Sequence, residues 1–269
     1  KLALKIYKKL NIYKVLCQTY TNLGSLYFDL NEFKIADDYF KQVLKKYEEA
    51  GDEAGISYGY FILGNSNRAL DNDEAAFEYY TKSIEIRTRL QNYSGIAVSS
   101  WGLGELYRKQ EKYLQAQTLY ETALKYNRQL KDKYNELAVL NSLAHNYFAL
   151  KNYKKAKEVA TEAYALNKEV NSMTMATESL KVLIQIEKET NNYKRAFELS
   201  ELRQKVMDGM QVEKSKNELI YSDFQRMRKE NKTLEKSNEV ISTKNLTYKK
   251  AIYIITSLLL IVVVLLILY

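Results

Sequence analysis

A repeat with a period of 40 residues runs through most of this 269-residue chain and limits what the chain can fold into. In four units a leucine is followed by a small residue: Leu23-Gly24, Leu63-Gly64, Leu103-Gly104 and Leu143-Ala144. Leu183-Ile184 stands at the same position in a fifth unit. Thirteen residues after each leucine stands an alanine: Ala36, Ala76, Ala116, Ala156 and Ala196. A fixed period of this length is typical of solenoids, in which each unit packs only on its neighbours.

Each unit is predicted to form two helices. In the first helix, Tyr20, Leu23, Gly24 and Tyr27 lie three or four residues apart and therefore share one face. A glycine inside a helix costs roughly 1 kcal/mol relative to alanine, so its recurrence at one position predicts the close approach of a neighbouring helix. The absence of proline and the presence of only 9 glycines argue against β-sandwiches and barrels, which need many tight turns.

The order of a large residue, Leu-Gly, tyrosine, alanine and an aromatic residue at these offsets resembles the tetratricopeptide repeat (TPR). The resemblance implies an all-α fold, a TPR-type helical solenoid of antiparallel helix pairs. Because the family period is about 34 residues, we expect each helix to be longer by a turn. The closing proline of the family is absent, and the fifth unit has lost the glycine, tyrosine and aromatic columns.

The repeat frame predicts the domain organisation. Five units are expected over residues 17–205, with boundaries at about 17–56, 57–96, 97–136, 137–176 and 177–205. Turns within the units are expected at Asp29–Glu32, Leu70–Asp73 and Leu150–Asn152. Residues 1–16 match the second helix of an earlier unit whose first helix is missing, so we expect the chain to be a piece of a longer protein.

The side-chain chemistry points away from catalysis. One histidine, His145, and one cysteine, Cys17, exclude an internal disulfide and most constellations of metal ligands. The sequence contains neither a phosphate-binding glycine loop nor a nucleophile elbow. The net charge of +8 arises from interspersed acidic and basic residues without a basic stripe, so we expect no nucleic-acid binding. We predict no cofactor, no metal site and no catalytic residue in this chain.

The resemblance further implies a groove that binds a protein or peptide ligand, because the first helices line the concave surface of TPR solenoids. Carried over column by column, the candidate partner-binding residues are Phe61, Asn65, Arg68, Trp101, Glu105, Arg108, Asn141, His145 and Phe148. Trp101, the only tryptophan, either packs between units or faces the groove. If it faces the groove, Trp101 with Arg68 and Arg108 would anchor an acidic or aromatic peptide, as such residues dominate many interfaces.

A seven-residue pattern replaces the 40-residue repeat over residues 206–250 and predicts a juxtamembrane coiled coil. The candidate dimer seam consists of Ile220, Phe224, Met227, Asn231, Leu234, Asn238, Ile241 and Asn245. Asparagines in one seam column favour a parallel two-stranded coil in register, so we predict a parallel homodimer. The alternative is a solvated single helix with chance apolar spacing.

The segment 251–269 is predicted to be a transmembrane helix. It contains 19 residues without a charge. As a helix it would measure about 28 Å, close to the ~30 Å thickness of the hydrocarbon core. Lys249 and Lys250 bound it on one side, and lysines on that flank would favour a cytoplasmic repeat domain.

The order of repeats, polar coiled coil and single span resembles the TPR sensor regions of bacterial membrane proteins, best known from Bacteroidetes, in which a histidine kinase or a helix-turn-helix regulator follows. This resemblance implies the sensor region of a single-pass signal-transduction protein of the bacterial inner (cytoplasmic) membrane, with extracytoplasmic repeats. The competing interpretation is a membrane-anchored scaffold with cytoplasmic repeats that recruits partner proteins without a signalling output.

Overall fold

The computed structural model describes residues 12–212 together with positions 226 and 229. The chain divides into two compact units, Lys1–Met207 and Asp208–Tyr269. The described residues form ten helices: α1 Ile12–Asp29, α2 Phe33–Ala50, α3 Glu53–Ala69, α4 Asp73–Arg89, α5 Tyr93–Lys109, α6 Tyr113–Leu130, α7 Lys133–Ala149, α8 Tyr153–Val170, α9 Met173–Glu189 and α10, described over 193–212.

The helices from α1 to α9 each contain 17 or 18 residues, which accounts for the long period of the repeat. Odd-numbered helices are the first helices of the pairs and even-numbered helices the second. Each helix packs on the next, and α3, α5, α7 and α9 also pack in succession against one another. The predicted all-α solenoid of helix pairs is therefore confirmed.

The turns recur every 20 residues, at half the period of the sequence. Each contains one residue in the left-handed conformation, with φ between 53° and 64°: Asn31, Gly51, Asp71, Gln91, Glu111, Lys131, Lys151, Asn171 and Asn191. After α3 the Asn72 N–H donates to the Asn67 carbonyl at 2.9 Å and the Asp71 N–H to that of Arg68 at 3.3 Å, the two bonds of a Schellman motif. The predicted turns within units coincide with three of these. Polar residues thus make turns that a low glycine count seemed to disfavour.

The recurring glycine lies under an aromatic ring of the second helix in the same pair. A Cβ atom at Gly24, Gly64 or Gly104 would lie within 2.7 Å of the ring that covers it, from Phe40, Tyr80 and Tyr120 respectively. In the fourth pair both columns carry alanine, at Ala144 and Ala160, and both are fully buried. The predicted close approach is confirmed. Where the second helix carries an aromatic residue, the first helix carries glycine, and where the second helix carries alanine, the first helix also carries alanine.

The predicted boundaries fall four or five residues after the helices begin, since the leucine columns fix the length of a unit and not its first residue. Residues 12–16, which the frame assigned to an earlier unit, belong to α1. Residues 1–11, every predicted seam residue and the segment 251–269 lie outside the described residues. Among the helices that the structure describes, none is long and apolar enough to cross a membrane.

Candidate binding groove

A pocket of about 420 Å³ lies on the faces of three first helices, α5, α7 and α9. We call it the central pocket. It is lined by Trp101, Glu105, Arg108, Ala138, Asn141, Ser142, His145, Met175, Glu178 and Lys181. Apart from the adjacent pair Asn141 and Ser142, the residues on each helix follow one another at intervals of three or four, which keeps them on one face.

Trp101 both packs between units and lines the central pocket, so the two predicted alternatives are not exclusive. Its ring packs against the hydrophobic core that runs from α5 to α10. Its indole Nε1–H donates to the Ser142 hydroxyl of α7 at 2.9 Å, which fixes the orientation of the ring. The Trp101 ring is thus fixed between the core and the pocket, where it forms an apolar wall.

Glu105 is held by a closed network at the floor of the central pocket. The Arg108 Nη2 donates to one oxygen of its carboxylate at 2.7 Å, and the Tyr120 hydroxyl donates to the other at 2.7 Å. Burial alone would raise the pKa of Glu105, but the hydrogen bonds and charge of Arg108, aided by the hydroxyls of Tyr120 and Ser142, lower it overall. Each oxygen of the Glu105 carboxylate therefore accepts a hydrogen bond from within the solenoid, which favours its ionised form.

His145 takes up a different arrangement, because the tyrosine column of the fourth pair holds Ala160. Its imidazole Nε2 lies 3.4 Å from the Glu178 carboxylate of α9. Burial lowers the pKa of His145, and the charges of Arg108 and Lys181 act in the same direction against the opposing effect of Glu178. Its surroundings therefore favour the neutral imidazole.

Asn141 joins α7 to α9 beneath the pocket. Its amide donates to the Met175 carbonyl at 3.1 Å, and its Oδ1 accepts from the Ser179 hydroxyl at 2.6 Å. Both ends of the amide are thus engaged, and the side chain acts as a brace between the two helices.

Family models of the tetratricopeptide repeat match residues 16–50, 58–89 and 95–169, just over half of the chain. The chain belongs to the tetratricopeptide-repeat family. A search of curated protein sequences finds no significant match.

Several solved structures resemble this fold. BtubC (BKLC) from P. vanneervenii matches with a TM-score of 0.68 and 16% identity over 77% of this chain and 85% of that one. A Rap protein complexed with Competence and Sporulation Factor matches with a TM-score of 0.63 and 21% identity over 71% of this chain and 53% of that one. Aspartyl phosphate phosphatase F from Bacillus subtilis matches with a TM-score of 0.63 and 16% identity over 76% of this chain and 54% of that one. The chain spans about half the length of the last two, and these identities establish a shared fold alone.

Five of the nine residues predicted for the tetratricopeptide groove meet in the central pocket: Trp101, Glu105, Arg108, Asn141 and His145. The other four lie elsewhere. Phe61 packs between units, with the Arg87 guanidinium 5.0 Å from its ring centre. Asn65 accepts from the Tyr80 hydroxyl at 2.6 Å and lines a smaller pocket of about 140 Å³.

The last two predicted residues, Arg68 and Phe148, are half-buried at the ends of their helices. Within the described residues the Arg68 Nε has no hydrogen-bond partner. The ring of Phe148 packs on that of Tyr153, with the ring centres 5.5 Å apart. Arg68 therefore does not join Trp101 and Arg108 as predicted.

The residues contributed by α9 escaped prediction, because the fifth repeat lacks the glycine and tyrosine that identify a unit. The repeat arithmetic still locates them: Met175, Glu178 and Lys181 stand 40 residues after Asn135, Ala138 and Asn141. In the described part of the chain no cluster of three His, Cys, Asp or Glu side chains is suited to hold a metal ion.

Proposed function

We propose that this tetratricopeptide solenoid is a protein- or peptide-binding module whose ligand occupies the central pocket. One observation carries the proposal: the only tryptophan of the chain forms a fixed, half-exposed wall of a pocket shared by three successive first helices. A pocket of about 420 Å³ has the volume of typical ligand sites. Rigid aromatic side chains next to arginine are the usual energetic centres of protein interfaces.

A solved relative of this fold offers support at the level of the fold. The similar Rap structure is a complex with Competence and Sporulation Factor. This complex supports partner binding by a solenoid of this fold, and the central pocket is our candidate for where this chain would bind. The proposed role is binding and not catalysis, because the polar groups of the pocket are arranged as braces and ion pairs.

The experiment exploits the single tryptophan. A library of random peptides would be selected on the full chain, and each selected peptide would be titrated while the fluorescence of Trp101 is recorded. Because the indole lines the pocket, a ligand there should change its emission, and a ligand bound elsewhere should not. In the Trp101→Ala variant, binding would be followed by the anisotropy of a labelled peptide and should weaken at least about tenfold.

The matched control is Leu114→Ala, because Leu114 is 69% exposed on the second helix α6 and does not line the pocket. This variant should bind as the natural chain does. Peptides that bind equally well to Trp101→Ala and to the natural chain would refute the proposed site.

We propose further that the chain is the sensor region of a single-pass bacterial signalling protein of the inner membrane. The uncharged segment 251–269 and the heptad pattern of 206–250 support a membrane helix and a parallel homodimer, respectively. The central pocket includes α9, and the helix that follows α9 leads along the chain into the heptad segment. A ligand that bridges α7 and α9 would thus bind close, along the chain, to the signalling segment.

Cysteine cross-linking tests the dimer, and labelling tests the orientation. In a Cys17→Ser background, Asn231→Cys should form a disulfide-linked dimer in membranes, whereas a cysteine on the outer face of α6 should not. An impermeant thiol reagent applied to intact cells should label Leu114→Cys if the repeats are extracytoplasmic. Labelling only after lysis, together with no cross-link, would favour the membrane-anchored scaffold.

A further inference from the structure

We propose that the central pocket takes an uncharged, apolar side chain of the ligand, and that Ala138 sets the size of the side chain that fits. This inference rests on the proposed function and specifies the ligand class of the same site. It follows from the position of the apolar residues in the pocket and from the partners that its polar and charged side chains already have.

The apolar residues of the pocket form one row across the three helices. Trp101 on α5, Ala138 on α7 and Met175 on α9 follow one another at intervals of 37 residues. Because α7 packs against both α5 and α9, Ala138 is the middle residue of the row. All three side chains are half-buried, and those of Trp101 and Met175 also pack on the hydrophobic core. The row is therefore an apolar surface that rests on the core and that a ligand can cover.

Ala138 is the smallest residue of its repeat column, and its size leaves open the space above the middle of the row. The same column carries Tyr58 on α3, Val98 on α5 and Glu178 on α9. Each of these larger side chains is half-buried on its own first helix. Helix packing therefore does not require alanine at this position, and a larger side chain at 138 would occupy the space that we assign to the ligand.

The polar side chains at the floor of the pocket are bonded within the solenoid. Each carboxylate oxygen of Glu105 accepts a hydrogen bond, and Asn141 is engaged at both ends. The Ser142 hydroxyl accepts from the indole of Trp101. The Arg108 Nε has no acceptor among the described residues, but this atom is buried, so a ligand would not reach it. A polar ligand group would consequently gain little from the floor.

The charges that line the pocket balance one another. Arg108 and Lys181 supply two positive charges, whereas Glu105 and Glu178 supply two negative ones. Arg108 is paired with Glu105 at 2.7 Å. The Glu178 carboxylate lies 3.4 Å from the His145 Nε2 and 3.9 Å from the Lys181 Nζ. A charged ligand group would lose its hydration and find no net charge to compensate that loss, whereas an apolar side chain gains free energy from burial.

The test compares four capped tripeptides, N-acetyl-Ala-X-Ala-amide, with leucine, glutamine, glutamate or lysine at the middle position. Each peptide is titrated into the full chain while the fluorescence of Trp101 is recorded. Leucine and glutamine are similar in size, so this pair separates an apolar side chain from one that is merely uncharged. The leucine peptide should bind at millimolar concentration and at least about tenfold more tightly than each of the others, because burial of a leucine side chain favours it by that factor or more.

Substitutions at position 138 test the size limit. Ala138→Val and Ala138→Tyr introduce residues that the same column carries in the third and second units. The first should weaken binding of the leucine peptide, and the second should weaken it at least about tenfold, because the new side chain fills the site. Ala165→Val and Ala165→Tyr are the matched controls, since Ala165 is exposed on α8 and does not line the pocket. Both controls should bind as the natural chain does, and all four variants should keep its helical circular dichroism.

The outcomes separate this inference from the proposed function. Three results would each overturn the inference: no binding of any tripeptide at millimolar concentration, a charged or glutamine peptide that binds as tightly as the leucine peptide, or binding that both substitutions at position 138 leave unchanged. If the random library yields Trp101-dependent peptides that bind Ala138→Tyr as well as the natural chain, the ligand class is wrong and the proposed function stands. If it yields no Trp101-dependent peptide, the proposed function itself fails.

Discussion

The pairing of a glycine with an aromatic ring predicts that the effect of Gly104→Ala on stability depends on residue 120. The substitution should destabilise the chain when Tyr120 is present and stabilise it when the ring is absent. In Gly104→Ala, the new Cβ would lie 2.7 Å from Cε1 and 2.9 Å from Cδ1 of Tyr120. The ring cannot withdraw, because Tyr120 is fully buried and its hydroxyl is bonded to Glu105. Overpacking of this kind costs about 1–3 kcal/mol, and the better helix propensity of alanine returns about 1 kcal/mol. The net expected loss of unfolding free energy is therefore between about 0 and 2 kcal/mol.

The same substitution should be favourable once the ring is removed. Tyr120→Ala alone should cost about 3–5 kcal/mol through the cavity it leaves. In that background Gly104→Ala meets no ring and should restore about 1 kcal/mol, as in the fourth pair, where Ala144 and Ala160 occur naturally. The coupling free energy between the two sites would then be about 1–3 kcal/mol.

Urea unfolding of the four members of this cycle measures the coupling, with helical circular dichroism and Trp101 fluorescence as the signals. Ala144→Gly serves as the matched control, since no aromatic residue occupies the partner column and glycine should destabilise by about 1 kcal/mol. Equal losses for Gly104→Ala with and without Tyr120 would refute the explanation of the columns.

Three further predictions concern a turn, the alkaline limit and the pocket. Lys131 has φ 57°, a conformation that glycine adopts without strain. Lys131→Gly should therefore stabilise the chain by up to about 1 kcal/mol in urea unfolding. Gly51→Lys, at an equivalent turn, should destabilise it. Burial raises the pKa of Tyr47 to about 12, so folding stability should fall between pH 10 and 12 as the unfolded chain deprotonates first, and less so in Tyr47→Phe. Burial holds the pKa of His145 below its ordinary value, so folding stability should fall as the pH drops below about 6.5, where the unfolded chain takes up the proton first. In urea unfolding, His145→Gln should show a smaller fall over this range.

The fold was largely predictable because its information is local and repeated. The same residue types recur at the same positions in successive units, so a chance match in one unit does not mislead the assignment of the fold. The turns show where composition misleads: eight of the nine left-handed positions carry a residue other than glycine. The hydrogen bonds of the turn and the packing of long helices stabilise this conformation, and neither is visible in a count of glycines.

The candidate site was predictable only in part, since repeat columns identify a helical face and not the partners of a side chain. Trp101 and His145 of the predicted set line the central pocket, whereas Arg68 stands one unit away from Arg108 and does not line it. The pairing of Arg108 with Glu105 also changes its expected role, because its Nη2 is already bonded to a carboxylate within α5. Lys181 was missed because the fifth unit looks degenerate at the positions that define the family.

The sequence by itself determined the architecture: an exact period, a small residue at each helix crossing and polar residues at each turn leave a stack of helix pairs as the compatible fold. Only the tertiary structure decided the site. Residues about 40 positions apart meet in the central pocket because three parallel first helices pack in succession. Whether a polar group there is free or engaged depends on distances of a few tenths of an ångström between different helices. Such distances follow from the packing of the solenoid, which no single unit contains.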